Sequence, residues 1–78
     1  MNTRDYIDEL ITTKFMPTIR PKVLEEVGLT EVEPYIQHMY IKPSKMGLIV
    51  AERKSGALFE VMIDSTTDTI LSVVLIPF

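Results

Sequence analysis

The sequence predicts a small α+β domain spanning residues 1–78, with two layers: two short N-terminal helices packed on a four-stranded antiparallel β-meander (order ααββββ). Apolar residues recur at helical spacing before residue 28, and apolar segments of strand-like composition follow between residues 35 and 78. Short polar links separate those segments. Such links favour antiparallel pairing of consecutive strands, because parallel strands need long crossovers.

The predicted helical layer consists of two pieces. The first helix begins at Asn2 or Thr3, either of which can cap it, and its apolar stripe comprises Tyr6, Ile7, Leu10, Ile11 and Phe15. Pro17 disfavours helical geometry at the preceding residue, so this helix is expected to end or kink there. A second short helix is predicted from about residue 20 to residue 27, where Gly28 closes it.

The rest of the chain is predicted to form strands. Residues 28–34 are a connector, and the strands occupy residues 35–42, 46–53, 57–63 and 70–78. In the first strand, alternation is expected to place one set on one face, Tyr35, Gln37, Met39 and Ile41, and the other set on the opposite face, Ile36, His38, Tyr40 and Lys42. Lys42-Pro43-Ser44-Lys45 has the composition of a turn, and Lys54-Ser55-Gly56 is a hairpin link whose glycine can take positive φ. The link 64–69 contains Asp, Ser and Thr side chains that can bond to their own backbone.

The last segment, Ile70–Phe78, is apolar on both of its alternating faces. Two short helices can cover only one of these faces. We therefore expect a homodimer that self-associates through the exposed set, Leu71, Val73 and Leu75. The alternative is that the last strand lies centrally in the sheet and that the helices wrap further around it.

Composition limits the classes of function. The chain has no cysteine, which excludes disulfides and thiolate metal sites, and we expect a cytoplasmic protein that begins at its natural methionine and has no membrane segment. The net charge is −3, and no basic cluster is evident, so direct binding to nucleic acid is not expected. The acidic group Glu25, Glu26, Glu31 and Glu33 is either a solvated surface or a patch for a basic partner.

No catalytic, cofactor or metal site is predicted. His38 is the only histidine in the chain, and nothing in the sequence selects a nucleophile or base to work with it. The segment Asp64–Thr69 lacks the glycine and terminal glutamate of a calcium loop, so a turn is the favoured interpretation, although ion binding stays open.

The segment Leu58–Val73, with Leu-Phe-Glu-Val-Met-Ile-Asp followed by Asp-Thr-Ile-Leu-Ser-Val, resembles the closing hairpin of PepSY-type modules. The resemblance implies a strand, a turn and a strand at the end of a small helix-plus-sheet domain. It covers a small part of the chain, and Asp68 stands where that pattern has a turn glycine. No function or site residue is carried over from it.

These observations favour a non-enzymatic protein-binding module, such as an accessory or phage-type regulator or inhibitor. Aromatic and methionine side chains anchor many interfaces, and Tyr35, Met39 and Tyr40 are the candidates near the sheet surface. An acidic inhibitor of a nucleic-acid-handling machine is the second hypothesis, in which the four glutamates would contact a basic surface. A small-ligand binder or enzyme without a familiar motif is the third.

Overall fold

The computed structural model describes the backbone of residues 3–77 and the side chains of residues 9–77. One helix, α1 (Thr3–Val27), is followed by four strands, β1 (Pro34–Lys42), β2 (Lys45–Glu52), β3 (Leu58–Asp64) and β4 (Thr69–Leu75). The strands form one antiparallel sheet in the order β1-β2-β3-β4. The predicted α+β class and the four-stranded antiparallel meander are therefore confirmed. The proposed cap at Asn2, the side chains of Tyr6 and Ile7, and Phe78 lie outside the described residues.

The prediction of two helices is wrong, because α1 continues through both Pro17 and Pro21. Each proline removes a backbone donor and should weaken the helix at that point. Both prolines lie on the exposed side of α1, where the carbonyls left without a partner can bond to water. The buried side chains keep a spacing of four residues across both prolines, at Ile11, Phe15, Ile19 and Val23. Packing of this stripe stabilises one continuous helix.

The turns agree with the predicted links. The Gly28 N–H donates to the Leu24 carbonyl (3.0 Å), and the helix ends beside it at Val27. The connector then runs to β1, which begins at Pro34. Ser44 takes φ 63° after Pro43, and Gly56 takes φ 75° in the link between β2 and β3. Positive φ at Gly56 costs little because glycine has no Cβ.

The hydrophobic core joins the helix to one face of the sheet. Its fully buried members include Ile19 and Val23 from α1 together with Leu48, Val50, Phe59, Val61 and Ile63 from the two central strands. The strand residues alternate in sequence, so they lie on a single face of the sheet. We call this the core face and the opposite one the outer face. The residues at outer-face positions are Tyr35, His38, Tyr40, Lys42, Lys45, Gly47, Ile49, Ala51, Leu58, Glu60, Met62, Asp64, Thr69, Ser72 and Val74.

Candidate functional site on the outer face and edge of the sheet

The two tyrosines of β1 lie on the outer face because of an irregularity in the strand. Tyr35 pairs with Ala51 and Tyr40 pairs with Gly47, both outer-face positions of β2. Residues five apart in a regular strand lie on opposite faces, but the register shifts between Ile36 and His38, where Gln37 is the extra residue. The strict alternation that we predicted for this strand is therefore wrong. The structure places Tyr35 and Tyr40 on the same face and Met39 on the core face, where it packs against the core.

Tyr40 lies flat across the centre of the outer face. A Cβ atom on Gly47 would be 2.1 Å from the Tyr40 Cζ atom, so only glycine leaves room for the ring in this position. The Tyr40 hydroxyl donates to Glu60 Oε2 on β3 (2.9 Å) and lies 3.6 Å from Met62 Sδ. The hydrogen bond to Glu60 raises the pKa of Tyr40, and partial burial and the negative charge of Glu60 add to the increase. The ring thus spans three strands and is fixed at its far end.

Basic side chains accompany both tyrosines. The Arg53 guanidinium lies 4.3 Å from the centroid of the Tyr35 ring, and the Lys42 ammonium lies 5.5 Å from that of Tyr40. These separations are within the range of cation–π attraction. The His38 ring is 6.4 Å from the Tyr40 ring and is itself exposed. The outer face therefore presents two aromatic rings bordered by positive charge, although the chain as a whole is acidic.

The strand β4 lies at the edge of the sheet, and not in its centre as the alternative interpretation required. The register shifts at Leu71, which is the extra residue between the pairs Met62–Ser72 and Ile63–Ile70. Val73 consequently packs against the core, whereas Leu71 is 50% exposed and Leu75 is 41% exposed. The set Leu71, Val73 and Leu75 therefore does not form one exposed face. Val74, 55% exposed, joins the exposed residues instead.

The four predicted acidic residues are all exposed, but they do not form a purely acidic surface. Glu25 and Glu26 lie near the end of α1, and Glu31 and Glu33 lie in the connector. Glu31 pairs with Lys54 (3.3 Å), and both line a depression of about 320 Å³ together with Glu33 and Arg20. Arg20 also donates to the Val32 carbonyl (3.2 Å). Bases are thus interspersed among the acids of the connector.

Glu52, which was not predicted as a site residue, is 1% exposed at the end of β2. Its carboxylate accepts hydrogen bonds from the N–H groups of Glu33 (2.7 Å), Lys54 (3.1 Å) and Ser55 (2.7 Å), and from the Ser55 hydroxyl (2.7 Å). Burial raises the pKa of Glu52, but these donors outweigh it and lower the pKa to about 2. The carboxylate ties the connector to the link between β2 and β3. An acid at a core-face position directly before a polar link was the sequence signal that could have revealed it.

A second surface depression lies beside α1. It has a volume of about 610 Å³ and is lined by Leu10, Ile11, Phe15 and Met46, with Lys14 and Asp68 at its border. Lys14 donates to the Asp68 carboxylate (2.5 Å) and so joins the helix to the link between β3 and β4. In that link, Asp64 accepts hydrogen bonds from the Thr66 hydroxyl (2.6 Å) and N–H (2.9 Å), which lower the pKa of Asp64. The predicted side-chain-stabilised turn is present.

Two further features concern metal ions and membranes. Among the side chains that the structure describes, no group of three or more histidines and carboxylates is arranged to hold a metal ion. Helix α1, over its described part, is not apolar enough to cross a membrane.

Comparisons with protein-family models, with curated proteins and with solved structures find no match for this chain, and the resemblance of its last hairpin to PepSY-type modules gains no support from them.

Proposed function

We propose that this chain is a small non-enzymatic protein-binding module that acts as a regulator or inhibitor through the outer face of its sheet. The domain in this proposal comprises residues 1–78, with the helix and the sheet as two layers. The observation that carries the proposal is the fixed position of Tyr40 across β2 and β3, on the face that also carries the Tyr35–Arg53 pair. Tyrosine, arginine and methionine are the residue types enriched at the centres of protein interfaces.

The rigidity of the Tyr40 ring supports binding. Association costs free energy when flexible side chains become ordered, and a side chain that is already held loses less on binding. The Tyr40 ring rests on Gly47 and its hydroxyl is held by Glu60, so its orientation is set before a partner arrives. Arg53 and Lys42 can then bond to acidic or carbonyl groups around the rings. The proposed partner surface is therefore apolar at its centre and acidic at its border.

The surroundings of His38 support contact more than catalysis. Its ring lies 6.4 Å from that of Tyr40, and within residues 9–77 no carboxylate or hydroxyl forms a hydrogen bond with it. General acid–base chemistry needs such an orienting partner.

The cellular location that we propose is the cytoplasm, because a chain without cysteine needs no disulfide bonds to stay folded.

The test is affinity capture from host lysate with the tagged chain and matched variants. We expect at least one protein to be retained by the wild type and to be lost with Arg53→Ala and with Tyr35→Ser. The control Glu25→Lys/Glu26→Lys reverses two charges at the helix end and should retain the same protein. Circular dichroism of each variant checks that the fold is intact.

The opposite pattern would overturn the proposal. If the outer-face variants retain every captured protein while the double glutamate variant loses one, the acidic surface is the binding site.

A further inference from the structure

The two free edges of the sheet differ in how well they are protected. The edge strand β1 begins with Pro34, contains the bulge at Gln37 and ends with Lys42. A proline, a bulge and a lysine each hinder pairing with another strand. The edge strand β4 has the sequence Thr-Ile-Leu-Ser-Val-Val-Leu, without a charged residue or a proline. One edge is thus blocked, and the other is open apart from its bulge at Leu71.

The backbone of β4 directs donors away from the sheet. The Ile76 N–H donates to the Leu58 carbonyl of β3 (2.8 Å). Backbone groups in an antiparallel ladder alternate in direction, so the N–H and C=O groups of Val74 point towards β3. Those of Val73 and Leu75 therefore point to the free edge, where the described residues supply no partner strand. The bulge at Leu71 and the missing N–H of Pro77 limit the regular part of this edge to residues 72–76.

The charge and exposure of this edge suit a second copy of the same strand. An identical strand brings no charge against Thr69–Leu75, so two copies meet here without like-charge repulsion although each chain carries −3. The side chains of Val74 and Leu75 remain exposed in the single chain. Cross-strand contact between such β-branched and aliphatic side chains stabilises a pair of strands. A charged strand of another protein would find no opposite charge on β4.

We infer that β4 pairs with β4 of a second copy, antiparallel and about a two-fold axis at Val74. Val74 is the centre of the regular segment 72–76, and this register sets Val73 of one copy opposite Leu75 of the other. Those residues then exchange both of their outward backbone hydrogen bonds. Two four-stranded sheets become one eight-stranded sheet, and the two outer faces form one continuous surface. The inference rests on the proposed function in one respect: the continuous outer surface is the surface that we propose binds the partner protein.

The interface is small, so we expect reversible association in the micromolar range, as for other interfaces of limited area. The first test is sedimentation of the purified chain over a range of concentrations. Val74→Lys puts a charge at the axis, and Leu75→Pro removes an outward donor without touching the bonds to β3. Either change should raise the dissociation constant by about tenfold or more. The control is Ile41→Lys on β1, where the side chain is 78% exposed, and it should leave the constant unchanged.

The second test uses the absence of cysteine from the chain. The variant Val74→Cys places a single thiol at the proposed axis, where directly opposed residues are close enough for a disulfide. Mild oxidation should convert it to a covalent dimer much faster than the variant Ile41→Cys. If circular dichroism shows that one edge variant does not fold, the other variant and the cross-link still test whether β4 pairs with β4 of a second copy.

A wild type that stays monomeric at every concentration overturns the inference, and so does a dimer that Val74→Lys and Leu75→Pro leave intact. These outcomes are separate from failure of the proposed function. Loss of the captured partner with Arg53→Ala in a monomeric chain refutes the edge pairing alone. A dimer whose outer-face variants still retain every captured protein refutes the binding surface alone.

Discussion

The two faces of the sheet differ in the burial and the polarity of their side chains. The core face carries the side chains of Leu48, Val50 and Phe59, which are fully buried against the helix. The outer face carries partly exposed long side chains, such as Tyr40 and Met62, that cover one another and the strand beneath them. Alternate residues of one strand can therefore serve stability and recognition separately. The face that must exclude water carries mainly apolar side chains, and the face that we propose for binding keeps polar groups at its surface.

The largest expected difference between the faces is in the free energy of unfolding. Phe59→Ala removes a fully buried ring from the core face and should lower this free energy by about 3–5 kcal/mol. Met62→Ala on the outer face should lower it by only about 1 kcal/mol, because that side chain is partly exposed already. Urea denaturation followed by circular dichroism measures both. Equal decreases for the two variants would mean that the outer face is packed as tightly as the core. The control is Phe59→Leu, which should lower the free energy of unfolding by about 1 kcal/mol.

The next largest effect concerns Glu52, the buried acid at the end of the core face. Glu52→Ala leaves backbone donors of the connector and the link without an acceptor and should cost about 2–4 kcal/mol in urea denaturation at neutral pH. Glu60→Ala on the outer face is the matched control. It should cost less, since Glu60 accepts one bond, from the Tyr40 hydroxyl, at a partly exposed position.

The lowered pKa of Glu52 also predicts how the free energy of unfolding depends on pH. Its pKa is about 2 in the folded chain, below the ordinary value of 4.5, so its ionised form stabilises the fold. This contribution is complete above pH 4.5 and is lost as the pH falls from 4.5 towards 2. Glu52→Gln should therefore be less stable at neutral pH and show a flatter loss of stability across that range. Parallel curves for the two proteins would contradict the prediction.

A smaller effect than that of Glu52→Ala is expected for Gly47→Ala on the outer face. The added Cβ forces the Tyr40 ring away from β2 and breaks the bond between its hydroxyl and Glu60, at a cost of about 1–2 kcal/mol. In the background Tyr40→Ala, the same change should cost much less, because the ring is gone. Additive costs in this double-mutant cycle would show that the two residues do not depend on each other. The shift in the phenol titration of Tyr40 should also disappear in Gly47→Ala.

Local signals in the sequence were sufficient for much of the fold. The links around Pro43, Gly56 and Asp64 predicted three turns, and short turns leave few ways to pair four strands. Glycine, proline, aspartate and serine influence the backbone next to them, so the turns that they favour can be predicted without knowing the tertiary structure.

The candidate site was only partly predictable, because two bulges change which residues share a face. Tyr35 and Tyr40 were placed on opposite faces by strict alternation, and Val73 was placed with Leu71. The extra residues Gln37 and Leu71 reverse the alternation within β1 and β4. A bulge is set by how a strand pairs with its neighbour, and neither strand alone carries a signal for it.

The sequence by itself determined the α+β class, the meander and its turns, since these depend on periodicity and on residues that act locally. Only the tertiary structure decided that α1 passes through Pro17 and Pro21, that bulges interrupt the alternation of β1 and β4, and that Tyr40 covers Gly47. In each of these cases the outcome depends on contacts between residues distant in sequence. The buried stripe of α1 outweighs the cost of its prolines, and pairing between strands decides which side chains face outward.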